Sequence, residues 1–154
     1  MRTSVAYPDF IWAEVRRGRL RQGWGWMEEQ DLRRIAARRQ AGADLTAEEV
    51  AAWPGHRMLG TEPASMRFDD LVVTQNLPRQ GRLSVCRIIG PYDFGIPGSP
   101  EDYGHILPVE LLVEDVSRHD PPVSDALRHA VSQRPRLLAI TPYGGDVEAL
   151  VVRT

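Results

Sequence analysis

Two tryptophans flank a single glycine in Gly23-Trp24-Gly25-Trp26, the most specific chemical feature of the chain. Glycines on both sides of Trp24 let the backbone turn tightly, so a large flat ring there can face a cavity instead of a core. Aromatic faces hold unstacked nucleobases, each stack worth about 1–3 kcal/mol. The same rings serve equally well as core or lid packing, and the sequence leaves both readings open. Just upstream, Arg16, Arg17, Arg19 and Arg21 form a basic strip of the kind that tracks a phosphate backbone. A solvated arginine face is the alternative.

Two further clusters have the right chemistry for a base. Gln75, Asn76 and Arg79 fall at the end of a predicted strand. Amides there can meet both donor and acceptor edges of a base, and Arg79 can clamp a phosphate. The segment Asn76-Leu77-Pro78-Arg79-Gln80-Gly81 is also ordinary turn chemistry. In the third cluster, Asp102 accepts from a base edge while Tyr103 stacks beside His105, and the loop that carries them closes over the ligand. The plainer alternative is that Tyr103 anchors a loop end and His105 is hydrogen-bonded at a strand start.

Several chemistries are excluded by composition. All 19 basic residues are arginine. Without lysine there is no P-loop, no Schiff-base amine and no carboxylate-plus-lysine nuclease site. A GC-rich coding bias explains that usage most simply, and arginine's planar fork still suits phosphates and base edges. No GxSxG, SxxK or HExxH motif occurs, so no catalytic residue is assigned. Cys86 has no partner for a disulfide or zinc site and is expected as a buried, inert thiol. His56, His119 and His129 are isolated, so neither metal nor cofactor is expected.

The 154 residues suit one domain, residues 1–154, whether alone or as the recognition module of a longer protein. No apolar run reaches the ~20 residues of a membrane span, and MRTSVAYPDF lacks the apolar core of a secretion signal. A cytoplasmic address is the expectation. The net charge of -2 argues against a non-specific DNA coat, yet its distribution is uneven. Between Arg16 and Gln40, eight arginines oppose three acids, whereas Glu101 to Thr154 carries nine acids and five arginines. One end of the sequence can face an anion while the other maintains solubility.

These residues must be positioned by elements of both kinds. The alternation in Asp9–Val15 predicts a first strand, followed by an arginine-rich turn. Leu32, Ile35 and Ala36 predict a helix within Glu28–Arg39, and Thr46 with Glu49 forms a capping box for a short helix stopped by Pro54. Strands are predicted at Asp70–Gln75, Arg82–Ile89, Tyr92–Phe94, His105–Val113 and Leu137–Ile140. Gly95–Gly104 is a ten-residue loop. Ser124 opens a helix with Val123, Leu127, Ala130 and Val131 on one face, and Asp146 caps a last one. The expected fold is therefore α+β: a small, curled antiparallel β-barrel of five to six strands with helices inserted after the first strand.

That order resembles the PUA-like superfamily, particularly its EVE and YTH branches. The resemblance rests on a first strand, Gly23-Trp24-Gly25-Trp26, helices, then Met66-Arg67-Phe68-Asp69-Asp70-Leu71-Val72-Val73 and Gly81-Arg82-Leu83. It spans Phe10 to Val113, and Asp69-Asp70 stands where Gly-Asp is usual. It implies a module that binds DNA or RNA and reads a flipped or modified base in an aromatic pocket, here carried by Trp24 and Trp26. In bacterial defence systems such modules work with nuclease or ATPase effectors. Rival readings are a small-molecule sensor or protein-interaction domain using the same pocket, and a hydrolase of unrecognised type.

Overall fold

A computed structural model of the chain describes residues 6–132 and 139–152. Its first element corrects the expected strand at Asp9–Val15. Pro8–Arg16 is a helix, α1, with proline in the first turn, Asp9 beside it and Arg16 in the last turn. Ile11, Glu14 and Val15 are its buried residues, which is i, i+3, i+4 spacing. The first strand comes later, where a turn was expected: β1 is Arg19–Gln22, with Leu20 fully buried. Its polar sequence hides it because Arg21 is neutralised by a helix that precedes it.

Between β1 and the next strand lie a 3-10 turn at Glu28–Gln30, α2 (Leu32–Gln40), α3 (Ala47–Ala52) and a 3-10 helix at Trp53–Leu59. The Thr46–Glu49 capping box forms as expected. Pro54 ends the α-helical geometry but sits in the first turn of the 3-10 helix that continues the chain. Strands β2 (Leu71–Gln75), β3 (Arg82–Ile88), β4 (Asp93–Phe94) and β5 (His105–Ser117) follow. Then come α4 (Asp125–Val131), a 3-10 turn at Thr141–Tyr143, and α5 (Gly144–Val152). Asp146 lies inside the first turn of α5 rather than ahead of it. In the strand expected at Leu137–Ile140, Leu137 and Leu138 lie outside the described residues, and Ala139 and Ile140 are not in strand.

The five strands form one antiparallel sheet in the order β1-β5-β3-β2, with β4 also paired to β5. Among the described residues β1 and β2 do not pair, so the sheet is open and not the expected closed barrel. The long strand β5 organises it. Its first residues pair with β1 (Gln22 opposite His105) and β4 (Phe94 opposite His105), and the rest pairs with β3.

Directly opposed residues of an antiparallel pair share a face. Val72 opposite Cys86 belongs to one apolar cluster, with α1, α2 and Met58. Val73 opposite Val85 belongs to another, with Val123, Leu127 and Val131 of the α4 region and with α5. The sheet is thus covered on both faces, and the predicted face of α4 is the one that is buried. No helix among the described residues is long and apolar enough to cross a membrane.

Candidate functional site

At the β1 end of β5, two short segments abut. Gly23-Trp24-Gly25 lies against Asp102-Tyr103-Gly104, joined by Gly104 N–H to the Gly25 carbonyl at 2.9 Å. One Asp102 carboxylate oxygen accepts from Gly25 N at 3.0 Å and from Tyr103 N at 2.6 Å. A side chain at Gly25 would put its Cβ 2.9 Å from Gly104 N and 3.0 Å from the Phe94 ring, and one at Gly104 would overlap the Gly25 carbonyl. Only glycine permits this approach.

The residues next to these glycines bear the strain. Trp24 has φ 72 and Tyr103 φ 84, left-handed values that are outliers for bulky side chains. Each costs about 1–3 kcal/mol and persists only where the surroundings over-determine it, as they do at functional sites. Trp24 is partly buried and packs on the first apolar cluster. Trp26 is 41% exposed, and Gln30 Oε1 fixes its backbone by accepting from Trp26 N at 2.9 Å and Met27 N at 3.2 Å.

A buried network locks the turn from below. His105 is 3.0 Å from the Trp24 carbonyl through Nε2 and 2.8 Å from the Tyr92 hydroxyl through Nδ1. A carbonyl only accepts, so Nε2 carries the proton; Nδ1 then accepts from Tyr92, whose oxygen accepts from Leu32 N at 3.3 Å. Every group is satisfied with a neutral ring. Burial lowers the pKa of His105, in keeping with that tautomer, and raises that of the Tyr92 hydroxyl.

Around the strip, Glu14 gathers three of the four arginines. Arg17, Arg19 and Arg21 reach its carboxylate at 3.2, 2.6 and 2.6 Å. Burial acts to raise the Glu14 carboxyl, but hydrogen bonds and charge from Arg19 and Arg21 outweigh it and bring it down to about 2. Arg21 is buried and also donates to the carbonyls of Gly95 and Tyr103, clamping both ends of the 95–104 loop. Arg17 and Arg19 keep much of their guanidinium surface in solvent. One carboxylate for three guanidiniums leaves a net positive cluster beside the loop. Arg16 pairs with Glu114 and lies over the Trp12 ring.

The remaining candidates are placed elsewhere or otherwise engaged. Tyr103 is buried, its ring against Tyr7 and Phe10, so it anchors the loop. Arg79 is paired with Asp115, ten residues along β5 from His105 and thus about 33 Å of strand away. Asn76, at φ 62, accepts from Gly81 N in the turn there. Gln75, Asn76 and Arg79 therefore do not join Trp24 and Trp26 around one base. A cavity of about 500 Å³ lies in a different region, lined by Arg57, Arg67, Leu71, Gln75, Val131 and Val147 among others. None of the tryptophan-turn residues lines it.

Sequence reasoning missed Glu14, Gln22, Gln30 and Tyr92. Glu14 had a usable signal: it is the only acid near four arginines and precedes Arg17 by one helical turn. Cys86 is fully buried in β3, its thiol pushed up to about 12 by burial, which makes it unreactive. Among the described residues no group of three His, Cys, Asp or Glu side chains converges as a metal site requires. Compared with family models, curated proteins and solved structures, the chain matches none.

Proposed function

We propose that the chain is a nucleic-acid-binding module that holds one unstacked base at the Trp24–Trp26 turn, as the resemblance to PUA-like domains implies. The observation that carries this reading is Trp26: a large ring, 41% exposed, on a turn whose backbone is strained at Trp24 and fixed by Gln30. Exposed tryptophan on a rigid support is a stacking platform with little ordering cost. Arg17 and Arg19, partly exposed in a net positive cluster at the foot of the neighbouring loop, supply phosphate contacts; Arg21 is structural.

The test is fluorescence titration with single-stranded DNA and RNA oligonucleotides, with thermal unfolding measured alongside. Trp26→Ala should melt close to wild type and lose about 1–3 kcal/mol of affinity, with Trp26→Phe recovering part. Unaltered binding by Trp26→Ala, or no binding by the wild type, refutes the reading. A second reading is favoured by the 500 Å³ cavity, whose size suits a small molecule. Binding there of an uncharged ligand would show almost no salt dependence, unlike phosphate contacts.

A further inference from the structure

We propose that Phe68 is a second stacking position for the same single strand, carried on the 67–70 turn at the far side of the sheet, with Arg67 beside it on a phosphate. This rests on the base-binding reading above and extends it from one base to a path across the sheet.

Phe68 is 71% exposed, more than any other aromatic ring among the described residues. A lone exposed ring is common on protein surfaces; what sets Phe68 apart is how its backbone is held. Asp70 N donates to the Arg67 carbonyl at 3.1 Å, closing the turn, and Asp70 Oδ2 accepts from Arg67 N at 2.8 Å. Asp69, left-handed at φ 71, donates its N–H to the Ile88 carbonyl at 2.8 Å, and its carboxylate meets Arg87 at 3.3 Å. Phe68 thus stands at the corner of a turn tied to itself and to β3. A ring on fixed backbone stacks with little ordering cost.

Strand register links this turn to the arginine cluster. Arg19 of β1 lies opposite Pro108 of β5, Ile89 N donates to the Pro108 carbonyl at 3.0 Å, and Asp69 N reaches the neighbouring Ile88. Opposed residues share a face, so Arg19, Pro108 and Ile89 form one row, and Ile89 is 48% exposed. Three strand spacings of about 4.8 Å put the turn about 15 Å from β1. At about 3.4 Å per stacked nucleotide, roughly four or five nucleotides cover the row.

Charge favours an anion at both ends of it. At β1 the single Glu14 carboxylate serves Arg17, Arg19 and Arg21. At the turn the nearby acids are engaged, Asp69 and Glu110 by Arg87 at 3.3 and 3.6 Å and Asp70 by the Arg67 amide. Arg67 is exposed, and among the described residues no acid pairs with its guanidinium. An exposed ring beside such a cation suits a nucleic-acid strand, whose bases stack while its phosphates take guanidiniums.

The experiment titrates the full chain with labelled oligothymidylate and oligouridylate of about 15 nucleotides, by fluorescence anisotropy. Thermal unfolding and sedimentation of each variant accompany it. One strand should bind per chain. Phe68→Ser should melt with wild type, because the ring is exposed, and bind about ten-fold more weakly, as the loss of one stacked base requires; Phe68→Tyr should stay within about two-fold of wild type. Arg67→Ala should lower the salt slope by about 0.7, one phosphate of a single strand. Wild-type affinity in Phe68→Ser, an unchanged slope in Arg67→Ala, or two strands bound per chain overturns the proposal; if Trp26→Ala still weakens binding, the tryptophan-turn site stands. Self-association of wild type that Phe68→Ser abolishes assigns the ring to a protein contact and also overturns it. If wild type binds neither oligonucleotide, both readings fall.

Discussion

Replacing Glu14 by Gln tests whether the organisation of the loop begins in α1. The substitution preserves volume and one oxygen but removes the charge on which Arg17, Arg19 and Arg21 converge. Arg21 is then a buried guanidinium without a counter-ion, although it keeps the carbonyls of Gly95 and Tyr103 at 2.8 and 2.9 Å. Breaking a buried pair by removing one partner costs about 3–5 kcal/mol; the retained bonds put this case near 3. For a domain of this size each kcal/mol moves Tm by about 2–4 °C, so a fall of roughly 6–12 °C is expected at neutral pH.

The pH dependence has a definite sign. The Glu14 carboxyl titrates at about 2 when folded, below its ordinary 4.5. Its contribution is therefore fully present above the ordinary value and is lost as pH falls towards about 2. Thermal unfolding of wild type and Glu14→Gln, followed by circular dichroism, should show a gap in Tm that narrows across that window. Amide exchange at Gly95 and Gly104 should quicken in the variant at neutral pH. A gap under 2 °C, or one that stays constant into acid, refutes the argument.

Two other outcomes follow from the same geometry. Gly104→Ala should destabilise by about 1–3 kcal/mol, because its Cβ would lie 2.8 Å from the Phe94 ring and overlap the Gly25 carbonyl; Gly98→Ala, with nothing within 4 Å, should stay within about 0.5 kcal/mol. Equal Tm values for the two variants would mean that the segments are not in close contact. Arg17→Ala combined with Arg19→Ala should flatten the salt dependence of single-strand binding by about 0.7 for each phosphate no longer neutralised, whatever the sequence bound, and an unchanged slope would remove both from the interface.

Elements whose burial follows from their own residues were readable in the sequence. The Thr46–Glu49 box, the α4 face and strands β2 and β3 depend on local spacing, and each lies within a residue or two of its expected place. The start of the chain was not readable in this way. Phe10, Ile11 and Trp12 alternate with enough polar residues to suggest a strand, whereas the burial of Ile11, Glu14 and Val15 follows a helix. A buried glutamate carries no apolar signal, so the pattern that defines α1 becomes visible only once Arg19 and Arg21 stand opposite it. The strand β1 was hidden for a similar reason, since Arg21 is buried through its pairing with Glu14 and Gln22 is a buried amide, and neither gives an apolar signal.

The candidate site divides along the same line. Trp24 and Trp26 stand out by type, and glycine spacing indicated a turn, but the distance from Asn76 to the turn depends on the length of β5 and the register of its partners. Asp102, Tyr103 and His105 stand together in the sequence as a cluster, yet their hydrogen bonds run to backbone amides, a carbonyl and a tyrosine hydroxyl, no one of which is distinguished in sequence. Such groups are required by the strain they hold in place. With Trp24 and Tyr103 both left-handed, an unsupported turn would relax into ordinary backbone and the exposed face of Trp26 would lose its fixed direction. The Asp102, His105 and Gln30 contacts prevent that, so the side chains that hold the turn and the ring exposed at its surface act as one unit.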